Sequence, residues 1–522
     1  MVRWDVGGVI GSEKGKDSWD VLGLAALAPA YGRLSNRAAL VRRTGMNDAI
    51  ATTPALRIPL RLTSAWHILR DAVRGVPTDL TSAPIGKALV MLAVPMILEM
   101  AMESVFALVD VFWVSHLGAG AVATVGLTES MMMLVYSVAM GVSIGVMATV
   151  ARRIGEKNPD AAARTAAQGI VLGLSISLAI GIAGAVFAPD LLRIMGADPA
   201  VVDTGTGFTR TMLGGNATVF LLFLINAVFR GAGNAALAMR ALWLGNLLNI
   251  ALGPCFVFGL GPFPELGVTG AAVATCIGRG CAVLYQLSIL ARGRSAIRLS
   301  RVHLRLDLGL MATVLRLAGS ATFQMLIVMT SYIGVIRVLS GFGSAPLAGY
   351  TIGFRILMFA MLPTLGLSNA AAALVGQNLG ARRPDRAEQA VRKACLASAT
   401  FLTSIGVLFL AFAPALVSPF TRDPHVAVNA VTYLRIISLG FPFYAFGMVL
   451  SQSFNGAGDT RTPTLINLVV FWLIQFPLAY FLAHHTALGP AGVFVTLAVC
   501  FSIFAAFAFA IFRLGRWKTV RI

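Results

Sequence analysis

"RRIGEKNPDAAARTA" (152–166) and "QNLGARRPDRAEQAV" (377–391) are one segment written twice. "RGAGN" (230–234) and "NGAGD" (455–459) repeat in the same way: 380 − 155 and 456 − 231 both give 225. The Ala-Pro pairs at 188 and 413 and the Asp-Pro pairs at 198 and 423 keep that offset. Shared composition does not hold one ungapped register over so many positions, so this is an internal duplication. The chain is expected to fold as two like halves.

The halves are made for lipid. The 522 residues are 57% hydrophobic and only 12% charged, about half the charge of a soluble domain. Apolar stretches long enough to cross a bilayer fall near 86–115, 121–150, 165–189, 207–230, 236–260, 268–291, 309–339, 346–375, 393–415, 430–453, 462–483 and 490–513. These predict an all-α polytopic membrane protein of twelve transmembrane helices in two six-helix bundles. Six is an even number, so both halves enter and leave on one side. Their pseudo-two-fold axis then lies along the membrane normal, the arrangement of parallel-repeat transporters with a site between the halves.

Alternate connectors carry the charge. Arg152, Arg153, Lys157 and Arg164, then Arg230 and Arg240, then Arg292 to Arg305 lie on one side. Arg382, Arg383, Arg386, Arg392, Lys393, Arg461 and the tail from Arg513 continue it. The positive-inside rule places this side, and both termini, in the cytoplasm of a cell carrying the protein in its inner membrane. The net charge of +19 is thus a topology signal and not a nucleic-acid footprint. The five cysteines lack metal-ligand spacing and read as packing residues. Residues 1–83 read as a cytoplasmic extension, either disordered or preceding a true start such as Met46. Within it, 60–76 can form a helix on the membrane surface. The bundles are assigned to 84–300 and 301–515, and the cytoplasmic tail to 516–522.

Span one, "MILEMAMESVFALVD" (96–110), holds Glu99, Glu103 and Asp110. At about 100° per residue all three share one helix face. Each carboxylate costs roughly 2.5–3.5 kcal/mol at the centre of a membrane helix, so the face must look into protein or a water-filled cavity. Glu129 in span two adds a fourth acid. The positions 225 residues after the first three are Gln324, Val328 and Val335. All intramembrane acids therefore fall in the first half, and ion coupling is expected there. Pro95 lacks a backbone donor and leaves the carbonyl of Met91 free, which lets the helix bend beside its acids.

"LVDVFWVSHLG" (108–118), "ELGVTGAAVAT" (265–275), "LVGQNLGA" (374–381) and "NGAGDTRTP" (455–463) resemble motifs of the multidrug and toxic compound extrusion (MATE) family. The resemblance covers roughly residues 84–515. It implies two bundles in a V that export cationic, amphipathic compounds against incoming H+ or Na+. In its acids the chain is nearer to DinF-like than to NorM-like members. Asp110 matches their coupling acid, and Pro95 a proline tied to protonation-dependent bending. Asn249 and, more weakly, Thr275 match further ion ligands. In "NIALGP" (249–254), however, Gly253 stands where those members carry an acid. An Na+ site at Asp110 and Asn249 is then incomplete, whereas a proton needs only one titratable group. H+ is favoured over Na+.

The expected protein is a monomeric secondary antiporter whose partners are small organic cations or amphipaths and membrane lipid. No "GxxxxGK[ST]" is present, so no ATP site, cofactor or enzymatic activity is expected. Gln324 and the Met132–Met133 pair are candidate walls of the substrate cavity, methionine being adaptable to varied apolar ligands. The alternatives are a flippase for a lipid-linked precursor and, in another class, a channel or sensor.

Overall fold

The computed structural model describes the backbone from residue 60 to the C-terminus except Arg521, and side chains from Trp66 onward. The extension as far as residue 59, with the start at Met46, lies outside that description. Residues 60–74 form the helix Leu60–Arg74. Arg240 donates to the carbonyls of Val73 and Arg74 at its end.

Twelve spans follow. Spans one to six are Ile85–Ser115, Ala119–Gly155, Pro159–Val186, Pro199–Gly231, Ala235–Phe258 and Val268–Ala291. Spans seven to twelve are Leu308–Ser340, Ser344–Gly380, Pro384–Val417, the bent pair Pro424–Leu439 and Phe441–Ala457, Arg461–His484, and Pro490–Arg513. Several starts are set by local chemistry. Asn158 caps span three by accepting from the Ala161 N–H, and Pro159 follows at the first helical position. Asp423 with Pro424 does the same for span ten.

Span ten bends by 58° at Gly440. Its counterpart Gly215 interrupts span four between Pro199–Gly214 and Asn216–Gly231. Both glycines are pressed against a neighbour. A β-carbon on Gly215 has no room beside the Cys276 sulfur, and one on Gly440 would stand 3.1 Å from Ala498. The duplication is therefore visible in backbone defects as well as in sequence.

Left-handed backbone positions recur at the same offset. Gly118 and Gly343 have φ of 95° and 96°, Lys157 and Arg382 both 57°, and Gly233 and Gly458 85° and 86°. Past the connector after spans five and eleven the offset drops to 222, as in Gly267 and Gly489 (φ 55° and 54°). The register read from the motifs is thus interrupted once, by a connector three residues longer in the first half (225 − 222).

The halves interlock. The first turns of span one (Ile85, Leu89, Leu92, Met96) are buried with Leu374, Val391 and Phe454 of the second half. Val314 and Ala318 of span seven reciprocally join the core of the first half with Val142, Val146 and Phe220. Each leading helix therefore begins in the opposite bundle. Span one runs unbroken through Pro95, which sits at the changeover. Just beyond it, Ile97 packs on Gly366 of span eight, whereas Glu99 bonds into its own bundle.

Further close approaches between halves lie at the basic end. Gly155 has no room for a β-carbon against the Gln377 carbonyl, nor has Gly380 against the Arg152 carbonyl. These two contacts exchange under the 225-residue offset. Gln377 donates to the Gly231 carbonyl at 2.8 Å. Arg383 bonds the Thr81 carbonyl at 2.9 Å, and Arg386 the Ala83 carbonyl. From the tail, the carbonyls of Val520 and Ile522 accept from Arg152 and Arg153. The segment before the first half thus ties down the second, and the tail of the second ties down the first.

Candidate functional site in the first bundle

From Glu99 onward span one faces spans four, five and six, and its acids fall into two groups. Glu99 is fully buried. It accepts from Asn226 Nδ2 at 2.9 Å and pairs with Arg230 at 2.5 Å. Gln286 in turn donates to Asn226 at 2.5 Å. Glu103 accepts from Asn246 at 3.0 Å and pairs with Arg279 at 3.4 Å. Arg279 is itself buried, bonds the Tyr136 hydroxyl at 3.2 Å, and lies over the Phe106 ring at 5.5 Å.

Asp110 and Glu129 form the second group. Among the described residues neither has a hydrogen-bond or ion-pair partner within its bundle. Asp110 lies within electrostatic reach of Glu129 and Arg279, and Glu129 within reach of Arg279. Four carboxylates thus face two guanidiniums, and the two matched ones are Glu99 and Glu103.

Asn249 and Thr275 meet, with Nδ2 donating to Oγ1 at 2.7 Å. Beside them Gly253 leaves space that the Trp113 indole partly fills: a β-carbon there would stand 3.4 Å from the ring. The buried Trp113 N–H has no partner among the described residues.

Of the three cavity-wall candidates, Met132 needs correction. Met132 is fully buried in the first-bundle core, packed with Val135 and Phe220, and serves packing. Met133 is exposed. Gln324 is buried inside the second bundle and donates to Ser451 at 3.3 Å. Gln324–Ser451 is the repeat image of Glu99–Asn226, with both partners displaced by 225. The second half keeps the contact without the charge.

Two arginines escaped the sequence reading. Arg230 was counted with the basic connectors, but its side chain turns inward to Glu99. Arg279 sits well inside span six, and a lone arginine in a span is a functional signal by the rule applied to the acids. An aromatic cluster was also missed. Tyr332 and Phe354 lie 4.6 Å apart, Tyr350 and Tyr433 5.1 Å, and Tyr433 and Phe494 5.2 Å. Phe354 is the counterpart of Glu129, so one lobe carries acids where the other carries rings.

A duplicated, interlocked pair of six-span bundles, polar and acidic in one lobe and aromatic in the other, has the architecture of a membrane transporter. The chain belongs to the MatE family, whose signature matches residues 95–255 and 321–481, one copy per half and together more than half the chain. It is 24% identical to the probable multidrug resistance protein YoeA of Bacillus subtilis over 84% of this chain and 95% of that one. It is 28% identical to the probable multidrug resistance protein NorM of Pseudomonas aeruginosa over 84% and 90%. Its fold matches the outward-facing conformation of a multidrug resistance MATE family transporter of the MOP superfamily. That match has a TM-score of 0.78 and 26% identity over 84% of this chain and 98% of that one.

Proposed function

We propose that the protein is a secondary active antiporter that exports cationic or amphipathic organic compounds in exchange for H+. The observation that carries the reading is the pair Asp110 and Glu129, which lack the guanidinium partners that Glu99 and Glu103 have. Glu99 and Glu103 have counter-charges beside them, whereas Asp110 and Glu129 have none and are open to a proton or a cation. The same two groups, once ionised, attract an organic cation. Protons and substrate then compete for the same negative charges, which is the requirement for exchange.

Gly253 supports H+ over Na+. Na+ needs several oxygen ligands, and the space beside Asn249 and Thr275 holds an indole in place of a carboxylate. The aromatic lobe suits the apolar and cationic parts of the substrate, since a cation over a ring face gains about 0.5–2 kcal/mol. The basic end, where the halves are tied together, is assigned to the cytoplasm, which makes this an outward-facing arrangement in the cell membrane. The protein acts as a monomer with both termini inside.

The test is efflux from reconstituted vesicles under an imposed pH gradient or an imposed Na+ gradient. Drive by pH alone is expected. Drive by Na+ alone, at constant pH, overturns the proton assignment.

A further inference from the structure

Span nine, span ten and span twelve enclose a groove of about 920 Å³ at the basic end of the second half. Its floor and walls are apolar: Cys395, Leu396, Phe446, Leu450 and Phe509. Leu396 is 70% exposed, so the groove opens outward from the bundle toward the lipid. Its rim is cationic, with Arg392, Lys393, Arg513 and Lys518. Lys518 is matched by Glu388 at 2.6 Å. Arg392, Lys393 and Arg513 are exposed and have no acidic partner among the described residues.

The duplication supplies an internal control. The counterparts of Arg392 and Lys393 are Ala167 and Gln168, and that of Arg513 is Ala291. In the first half this position is covered by the chain itself. Gln168 donates to the carbonyls of His303 and Arg305 in the connector between the halves, and buried His303 bonds Asp160 at 2.8 Å. One scaffold therefore carries two versions of the groove. The first is closed by the chain's own connector and uncharged where the second is basic. The second is open, with three unmatched cations above an apolar slot.

We propose that the second groove is a binding site for an anionic phospholipid. Its phosphate sits between Arg392, Lys393 and Arg513, and an acyl chain lies along Leu396 and Phe509. An apolar slot continuous with a cationic rim at headgroup depth fits a two-part ligand, and basic pockets between transmembrane helices on this side suit anionic headgroups. A free phosphate would leave the slot unfilled, and a zwitterionic headgroup would bring its own positive group against three unmatched cations. The proposal is independent of what the transporter exports.

Native mass spectrometry of the purified full chain, with phosphatidylglycerol or phosphatidylcholine added to the detergent, tests it. Phosphatidylglycerol is expected to stay bound preferentially. The triple variant Arg392→Gln, Lys393→Gln, Arg513→Gln should weaken its binding by roughly a hundredfold, at about fivefold per cation. Leu396→Trp fills the slot without altering charge, keeps the test open if the triple variant misfolds, and should also lower affinity. Equal retention of the two lipids, unchanged binding in either variant, or full displacement of the lipid by inorganic phosphate each overturns the proposal.

Discussion

Ala151 faces Gly376, its own repeat counterpart, across the pseudo-two-fold: a β-carbon on Gly376 would stand 2.7 Å from that of Ala151. Such a self-paired position lies on the symmetry axis, and it belongs to the basic-end contact that joins the halves. Cysteines at 151 and 376 are close enough to crosslink after a small outward shift. Oxidation of the pair is expected to stop efflux, and dithiothreitol to restore it. Undiminished efflux by the crosslinked protein would mean that the halves need not part here.

The two groups of acids should respond differently to neutralisation. Asp110→Asn and Glu129→Gln are each expected to abolish pH-driven efflux in vesicles while the protein keeps its melting temperature. Wild-type efflux in Asp110→Asn would falsify the coupling assignment.

Glu99 should behave as part of the scaffold. Glu99→Ala leaves the Arg230 guanidinium buried and unpaired, at a cost of about 3–5 kcal/mol. A large fall in thermal stability is expected, partly recovered by combining Glu99→Leu with Arg230→Met, which replaces the pair with apolar bulk. The melting temperatures of the single and double variants decide between this and a purely coupling role.

Gly253→Asp places a carboxylate beside Asn249, Thr275 and the unpartnered Trp113 N–H. The backbone there accepts a β-carbon at ordinary contact distance. This variant should gain an efflux response to Na+ at constant pH, measured as stimulation by an imposed Na+ gradient. No stimulation would show that more than one missing ligand separates this site from Na+ binding.

Asp79, in the turn before span one, is pulled down to about 2 by the hydroxyl and N–H of Thr81. A depressed carboxylate stabilises the fold above its unfolded value, near 3.9, and that contribution is lost as pH falls toward about 2. Between pH 5 and 8 it is therefore constant. Asp79→Asn should leave the pH profile of efflux unchanged across that window. The stability difference between wild type and variant should shrink between about pH 4 and 2, as followed by melting. A difference that persists to pH 2 would remove the titration from the explanation.

Much of the architecture was open to reading in one dimension because a duplication reports itself twice. The twelve spans and the placing of Glu99, Glu103, Asp110 and Glu129 in spans one and two needed only hydropathy and offset. What could not be read was pairing. Arg230 sits at a span end, where a basic residue ordinarily marks a membrane face, and only packing turns it toward Glu99. The crossing of spans one and seven into the opposite bundles was equally hidden, since an apolar turn does not say which apolar surface it covers. Met132 and Met133 are adjacent and chemically alike, yet one is core and the other exposed.

The charge count of the first lobe also bears on energetics. With both unmatched carboxylates protonated the lobe is neutral, and with both ionised it carries two negative charges. If two protons enter for each monovalent cation that leaves, one net positive charge moves inward per cycle. Export is then electrogenic, and each 100 mV of membrane potential adds about 2.3 kcal/mol to whatever the pH difference supplies. A transporter with a single free acid would exchange charge for charge and gain nothing from the voltage.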